Sequence, residues 1–477
     1  IIVSAKGSDN LRKNLLSYIH SGGSLLMEAP EAEWLFGIKS QRRYVDYIQP
    51  RAESLFGNVL PGFIDASLTV PEEADDLFAN DGMNLVEIVR EGKGSAVILP
   101  GGLTGLLLNS DIRRRQFPSV SRYLPTERVA RCSKHTIREI VQHSLEFLSR
   151  ERKLPFVSLH PFPEGKPSCF NLRIDTDFAD EKHISDLYDL CRKHTISASW
   201  FVETGSAKKR LSQFERMKDQ EIGLHCFQHK VFKNYYESET DIKHGKSLLT
   251  GDKISPSGYA APFGEWNSSL AKAVESSGFK YSSEFGLAYD DHPFYPWLGD
   301  RFSSVLQLPV HPISAGRLKN AKHNEEDIKH YFAAVMDTNS AHRLPIFIYD
   351  HPSSANLDVL NWFMEQIQEK EISSVTLGGY AEWWKIRDRI KWGSDISTGK
   401  LTIKSSGIEK QAQLLVKNSD GSEAVTPMSD VVTFNELDWQ ESTSLPTIVP
   451  MAVRNRISRK MLTNNFDHIR SKINPWK

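Results

Sequence analysis

The stretch NLRIDTD at residues 171–177 decides the fold of the central part of this chain, because an apolar strand ends there at two carboxylates. Two other apolar runs end in a similar way, at HCFQH (residues 225–229) and at YDHP (residues 349–352). Strands and helices alternate from Phe170 to about Arg389, which predicts a (β/α) barrel. The carboxyl ends of the strands in such a barrel form one face, so we expect the three polar clusters to converge there.

The polar residues at these strand ends are typical of a hydrolytic metal site. His225 and His229 are four residues apart, and one of the carboxylates Asp175 and Asp177 would complete a site for a divalent metal. The metal would polarise a carbonyl oxygen, and the second carboxylate would accept the proton of the attacking water. His351, on another strand, would protonate the leaving group. Each signal alone also fits a turn, a helix cap or a structural histidine, so order and placement carry the interpretation.

The same clusters, in this order, resemble the motifs of the polysaccharide deacetylase superfamily, whose NodB-homology domains are distorted (β/α) barrels. The resemblance extends from Asn171 to about Trp384. It implies a general base, a general acid and three ligands of a divalent metal ion, namely zinc. Asp175 would be the general base and His351 the general acid. The metal ligands would be Asp177, His225 and His229.

The segment GYAAPFGEWN at residues 258–267 resembles the third motif of that family, which lines one side of the substrate groove. We therefore expect Pro262, Phe263 and Trp266 to contact the substrate. His311 follows another strand in the segment LPVHP, and it is either a further residue of the pocket or a structural histidine.

One position departs from the family pattern. The third motif usually has an arginine, which orients the catalytic base, at the position of Ala260. Without that charge, Asp175 would lose an ion-pair partner that favours its carboxylate form. Arg173 is close in sequence, but the sequence leaves open whether its side chain reaches the site. The segment YSSEF at residues 281–285 lies where the fourth motif is expected, without a clear match.

Two further parts flank the predicted barrel, which we place at residues 168–392, after a proline-rich linker at 154–167. Residues 1–150 alternate strands and helices and resemble a class I glutamine amidotransferase-like, flavodoxin-like α/β domain. That family's catalytic cysteine lies in a G-x-C-x-G turn, which this region lacks. Cys132 lies in a polar stretch instead, so we expect a non-catalytic domain for scaffolding or ligand sensing.

The C-terminal part, residues 393–477, has short alternating runs that predict a small β-rich module. Its tail, Arg454–Lys477, has seven Lys and Arg residues against one acid, Asp467. The tail is expected either to pack on the protein as a helix with a basic face or to associate with an anionic surface.

Composition narrows the class of protein and its partners. The 477 residues have a net charge of −1, so the broad basic field of a dedicated nucleic-acid binder is missing and no nucleic-acid partner is expected. No run approaches the ~18 apolar residues of a transmembrane segment. The four cysteines are scattered, which excludes a thiolate zinc site and favours a reducing, cytoplasmic location.

The sequence therefore predicts a metal-dependent deacetylase that acts on an acetylated carbohydrate. One alternative is an amide hydrolase for a non-sugar substrate, as in allantoinase-like members of the superfamily. The other is a catalytically degenerate glycan-binding protein, which the missing arginine at Ala260 would favour.

Overall fold

A computed structural model describes residues 1–441 of the chain, apart from residues 80, 122, 398–399 and 406–410. Within this part it is a mixed α/β protein. The predicted basic tail, residues 454–477, lies outside the described residues. None of the helices in the described part has the length and apolar character that crossing a membrane requires.

The N-terminal region has a central sheet, two hairpins and three α-helices. Its elements are β1 (Ile2–Val3), α1 (Asp9–His20), β2 (Ser24–Glu28), α2 (Ala29–Phe36), β3 (Ser40–Ile48), β4 (Gly62–Pro71), β5 (Asp76–Phe78), β6 (Asn84–Glu91), β7 (Gly94–Leu99), β8 (Ile112–Gln116), β9 (Thr126–Ala130) and α3 (Lys134–Glu151). The hairpins are β3–β4 and β8–β9, and the central sheet has the order β1-β2-β7-β6-β5.

Helices cover both faces of this central sheet, because alternate residues of a strand point to opposite sides. Leu25 and Ile98 pack in the cluster that contains α1 and α2, whereas Leu26 and Val97 pack in the cluster that contains α3. Strands β1, β2 and β7 are parallel, but β6 and β5 pair antiparallel. A tight turn at Gly92, with φ 60°, joins β6 to β7 and forces that direction. This differs from an all-parallel flavodoxin-like sheet, and the flavodoxin-like assignment stays a prediction.

The central region alternates strands and helices as predicted. Its elements are β10 (Phe156–Leu159), β11 (Cys169–Asp175), α4 (Glu181–Lys193), β12 (Ser199–Glu203), α5 (Thr204–Ala207), α6 (Leu211–Glu215), β13 (Glu221–Cys226), α7 (Tyr235–Gly251), β14 (Gly258–Tyr259), α8 (Ser268–Ser276), β15 (Tyr281–Ser282), β16 (Leu306–Gln307), α9 (Ala315–Asn320), α10 (Glu325–Ala341), β17 (Ile346–Asp350), α11 (Leu357–Glu369), β18 (Ser373–Ser374) and α12 (Leu377–Arg389).

Eight strands of this region form one curled parallel sheet. The strand order is β16-β15-β14-β13-β12-β11-β17, and β18 pairs with β11. Beyond β16, His311 forms a parallel bridge with Ile348, and its backbone N–H donates to Phe347 O at 2.7 Å. Because Ile348 belongs to β17, at the opposite end of the strand order, this contact requires the sheet to curl. The resulting half barrel brings the carboxyl ends of β11, β13 and β17 to one face.

The C-terminal strands form two small sheets, and the predicted linker belongs to one of them. The strands are β19 (Trp392–Ser397), β20 (Lys400–Ser405), β21 (Gln413–Lys417), β22 (Glu423–Pro427) and β23 (Val431–Thr433). Strands β19, β20 and β23 form one sheet, and β10 joins β21 and β22 in the other. Residues 154–167 are thus not only a linker, because Phe156 pairs with Lys417 and Leu159 with Leu414. Local sequence could not show this, because the partner strand follows more than 250 residues later.

Candidate active site and metal centre

The carboxylate predicted as the general base is held by the arginine two residues before it. Side chains two residues apart on a strand share a face, and β11 places both Arg173 and Asp175 inside the half barrel. Arg173 Nε donates to Asp175 Oδ1 at 2.8 Å, and Nη2 donates to Oδ2 at 2.5 Å. Arg173 Nη1 also donates to Ser283 O at 2.5 Å. This two-point ion pair supplies the charge that the sequence lacks at Ala260.

Burial by itself would raise the pKa of Asp175, whose residue is 3% exposed. The Arg173 guanidinium, together with the imidazoles of His225 and His351, outweighs burial, so the pKa of this carboxyl lies below its ordinary value. Asp175 is therefore a carboxylate at neutral pH, as a general base requires.

Asp177 brings the two histidines of β13 and the following turn together. His225 Nε2 lies 3.2 Å and His229 Nε2 lies 3.1 Å from the same oxygen, Asp177 Oδ1. The three ligand atoms lie within 4.8 Å of one another, and Asp177 has a φ of 35°. Non-glycine residues rarely adopt this left-handed conformation, and such strain is concentrated at functional sites.

The donor set of this cluster fits a divalent cation. Asp177 Oδ1 is buried and makes no hydrogen bond, although two imidazole nitrogens face it. Burial would raise the pKa of Asp177, but the imidazoles around it hold that pKa below its ordinary value. Burial would lower the pKa of His229, and Asp177 raises it instead. The cluster therefore favours positive charge at its centre, which a metal ion with nitrogen and oxygen ligands would supply.

His351 lies beside this cluster at the end of β17. Its Nε2 is 3.3 Å from Asp177 Oδ2, and its side chain is 39% exposed. The loop is fixed by Asp350, whose buried carboxylate accepts from the backbone N–H groups of His351 and Ala315. His351 is thus placed beside the cluster with part of its side chain open to solvent.

These residues surround a cavity of about 270 Å³. The lining residues that the structure describes include the five predicted catalytic and metal-binding side chains. The described lining residues are Asp175, Asp177, His225, His229, Phe263, Gly264, Phe285, Ser314, Gly316, Arg317, Asn320, Tyr349 and His351.

Of the four residues predicted to bind substrate, Phe263 lies at the cavity. It is 54% exposed, and its ring meets that of His229 edge to face at 4.7 Å. Pro262 is buried and is not among the lining residues described. Trp266 packs in a separate apolar cluster with Leu287.

His311 also turns away from the cavity. Its Nδ1 bonds to Asp290 Oδ2 and its Nε2 to Tyr331 Oη, each at 2.9 Å. Both ring nitrogens are thus hydrogen-bonded inside the core, which is the arrangement expected of a structural histidine.

The cavity residues that the sequence analysis missed include two polar side chains of α9, Arg317 and Asn320. Arg317 Nε lies 2.5 Å from Glu127 Oε2, on strand β9 of the N-terminal region. Burial raises the pKa of Glu127, although Arg317 acts against that rise. The position of α9 after a strand end was the signal that could have indicated these two residues. The ion pair itself could not be predicted, because Glu127 precedes Arg317 by almost 200 residues.

Comparison with known proteins agrees with the resemblance in this region. Residues 166–282 match the polysaccharide deacetylase family. The match includes Asp175, Asp177, His225 and His229, and it ends before His351. A peptidoglycan deacetylase of Helicobacter pylori (strain ATCC 700392 / 26695) is 29% identical over 136 residues, which are 27% of this chain and 45% of that protein. The chain thus spans less than half the length of this relative.

Solved structures that are similar to about half of the chain include the following two. One is a putative polysaccharide deacetylase from Mycobacterium smegmatis, with 17% identity and a TM-score of 0.41, covering 48% of this chain and 93% of that one. The other is a probable polysaccharide deacetylase from Pseudomonas aeruginosa PAO1, with 14% identity and a TM-score of 0.42, covering 48% of this chain and 94% of that one.

Proposed function

We propose that this protein, whose residues 166–282 match the polysaccharide deacetylase family, is a metal-dependent hydrolase that removes acetyl groups from a carbohydrate. One observation carries the proposal. Asp175 at the end of β11, Asp177 just after it and the two histidines of the second cluster line the same cavity, with Asp177 facing both imidazoles and Asp175 held by Arg173.

Asp177, His225 and His229 would hold the metal ion. Two imidazoles and one carboxylate are a ligand set that suits zinc, which is the ion we propose. When bound, such an ion acts as a Lewis acid toward the acyl oxygen of the substrate.

Two side chains of the protein would carry out the two proton transfers of the reaction. Asp175 accepts a proton from the attacking water, and the two hydrogen bonds from Arg173 fix the direction in which its carboxylate points. His351 donates a proton to the departing amine or alkoxide from the rim of the cavity.

The walls of the cavity suit a sugar. The exposed ring of Phe263 offers a flat apolar face, and Arg317 and Asn320 offer hydrogen-bond donors on another side. The H. pylori relative is named a peptidoglycan deacetylase, so acetylated peptidoglycan fragments belong among the test substrates. The degenerate glycan-binding alternative loses its main support, because Arg173 compensates for Ala260.

The test is acetate release from acetylated oligosaccharides, including peptidoglycan fragments. Asp175→Asn and His229→Ala should each lower the rate by at least about 10²-fold, since each removes a group that acts in the reaction. His330→Ala is the matched control, because His330 is a solvent-exposed histidine of α10. Undiminished release in both site variants would refute the proposal. Turnover of a cyclic ureide without acetate release would support the allantoinase-like alternative.

We further propose the division into residues 1–150, 168–392 and 393–477, with a non-catalytic N-terminal part. Cys132 is 1% exposed and its thiol donates to Leu106 O at 3.4 Å. Burial raises the pKa of this thiol, which is the opposite of what a cysteine nucleophile needs. The tail-mediated surface association and the cytoplasmic location stay predictions.

A further inference from the structure

A second group of metal-type ligands lies between the N-terminal region and helix α10. His135 and Glu139 are one turn apart on α3, and His342 follows the end of α10. Glu139 Oε1 lies 3.2 Å from His135 Nε2 and 2.8 Å from His342 Nδ1. All three ligand atoms lie within 4.8 Å of one another. Ligands of a tetrahedral zinc ion, with bonds of about 2.0–2.1 Å, are about 3.3 Å apart, which is close to this arrangement.

The imidazole of His135 is buried without a hydrogen-bond partner. Its side chain is 8% exposed, and neither ring nitrogen makes a hydrogen bond of good geometry. The buried Nε2 of His342 also has no partner, in a side chain that is 2% exposed. Burying unpaired polar groups is costly, and coordination of a cation at His135 Nε2 would offset that cost.

The surroundings already contain the groups that orient metal ligands. Asp291 Oδ1 lies 3.5 Å from His135 Nδ1, so that Nε2 is left free to face Glu139. Glu139 Oε2 accepts from the backbone N–H of Leu60 at 2.7 Å, which leaves Oε1 for the two histidines. A ligating imidazole with a carboxylate behind its other nitrogen is a recurrent feature of metal sites.

The cluster contains more carboxylate groups than guanidinium groups. Two carboxylates, Glu139 and Asp291, are buried here, and Arg138 pairs with Asp291. With neutral imidazoles the group therefore has one negative charge in excess, which either a bound cation or a proton on His135 would balance.

The other cations at the adjoining cavity of about 220 Å³ are engaged elsewhere. Lys417 pairs with Glu146 at 2.8 Å, and Arg343 pairs with Glu423. Arg387 donates to the carbonyl oxygens of Leu159 and His160.

We propose that His135, Glu139 and His342 bind a second divalent metal ion of the zinc type, which clamps helix α3 of the N-terminal region to the end of α10. The ligands come from positions 135, 139 and 342, so the ion would link segments about 200 residues apart. The cavity leaves room for a water molecule in the remaining coordination position. The competing arrangement is a protonated His135 paired with the two carboxylates and no metal.

The experiment counts metal ions on the full chain. Protein stripped with a chelator is dialysed against limiting Zn²⁺, and bound zinc is measured by elemental analysis. His342→Ala should bind about one equivalent less than the wild type, whether or not His229→Ala has removed the other proposed site. His143→Ala is the matched control, because His143 lies on α3 and lines the same cavity but is not one of the three ligands.

Glu139→Gln is a second variant that should keep the protein folded. Glutamine has nearly the same size as glutamate, and its amide oxygen can still accept from the backbone N–H of Leu60. This variant too should lose about one equivalent of zinc, with unchanged circular dichroism. Zinc should also raise the melting temperature of His229→Ala but not that of His229→Ala/His342→Ala. Equal zinc binding by the wild type, His342→Ala and Glu139→Gln would overturn the proposal in favour of the protonated pair.

Discussion

The pair Arg173–Asp175 should be strongly coupled, and a double-mutant cycle with Arg173→Gln and Asp175→Asn measures that coupling. Both side chains are buried, at 0% and 5% exposure, and two hydrogen bonds of 2.8 and 2.5 Å join them. Either single change leaves one charge buried without its partner, which costs about 3–5 kcal/mol. Arg173→Gln also removes the hydrogen bond to Ser283 O.

The double variant should cost much less than the sum of the two single variants. Two neutral amides can hydrogen-bond to each other, and replacing a buried ion pair by neutral groups is often close to neutral in free energy. We expect a coupling energy of at least about 3 kcal/mol in urea unfolding followed by tryptophan fluorescence.

The same variants separate stability from catalysis. Arg173→Lys keeps the positive charge but loses the two-point contact, and it should lower acetate release by about 10²-fold while the protein stays folded. Arg192→Gln, at an exposed arginine of α4, should change stability by less than about 0.5 kcal/mol. Additive single-variant costs, with a coupling energy below about 0.5 kcal/mol, would show that the ion pair does not hold Asp175 in place.

Three further outcomes follow, the first for Glu284, a buried carboxyl that accepts from the backbone N–H of Ala261, and the others for the proposed site. Burial raises the pKa of Glu284 from 4.5 to about 7, so this group's contribution to stability is full below pH 4.5 and declines as the pH rises to 7, by about 3 kcal/mol. Glu284→Gln should therefore melt higher than the wild type at pH 8 and equally at pH 4.5 by calorimetry; a constant difference would contradict this. Arg317→Ala should raise KM for acetylated oligosaccharides about tenfold, and Glu127→Gln should raise it less, because the guanidinium remains but is no longer held; an unchanged KM in both would place Arg317 outside the substrate site. Chelation should abolish acetate release and added Zn²⁺ should restore it, whereas full activity after metal removal would exclude a metal-dependent reaction.

The sequence was sufficient to predict residues that sit at strand ends. Asp175, Asp177, His225, His229 and His351 were predicted from their positions after apolar runs, and the structure brings all five to one cavity. This works because the carboxyl ends of neighbouring parallel strands meet at one edge, whatever the details of side-chain packing.

The direction in which a side chain points after the end of a strand could not be predicted from the position of that strand end. Trp266 and His311 occupy positions that resemble those of the cavity residues, yet both turn into apolar or hydrogen-bonded surroundings. Their direction depends on partners such as Leu287 and Tyr331, whose positions follow from the complete fold. Strand β10 was missed for the same reason, because only its distant partner β21 makes it a strand.

The N-terminal region contacts residues of the proposed active site at several places. On β9, Glu127 holds the cavity residue Arg317, Arg128 pairs with Glu265, and the N–H of Ala130 donates to Phe285 O at 3.1 Å. Arg317 and Phe285 line the cavity itself. A displacement of β9 would therefore move one wall of the cavity, and the contact between α3 and α10 at Glu139 limits such a displacement. The N-terminal region can thus set the shape of the cavity in which we propose the reaction.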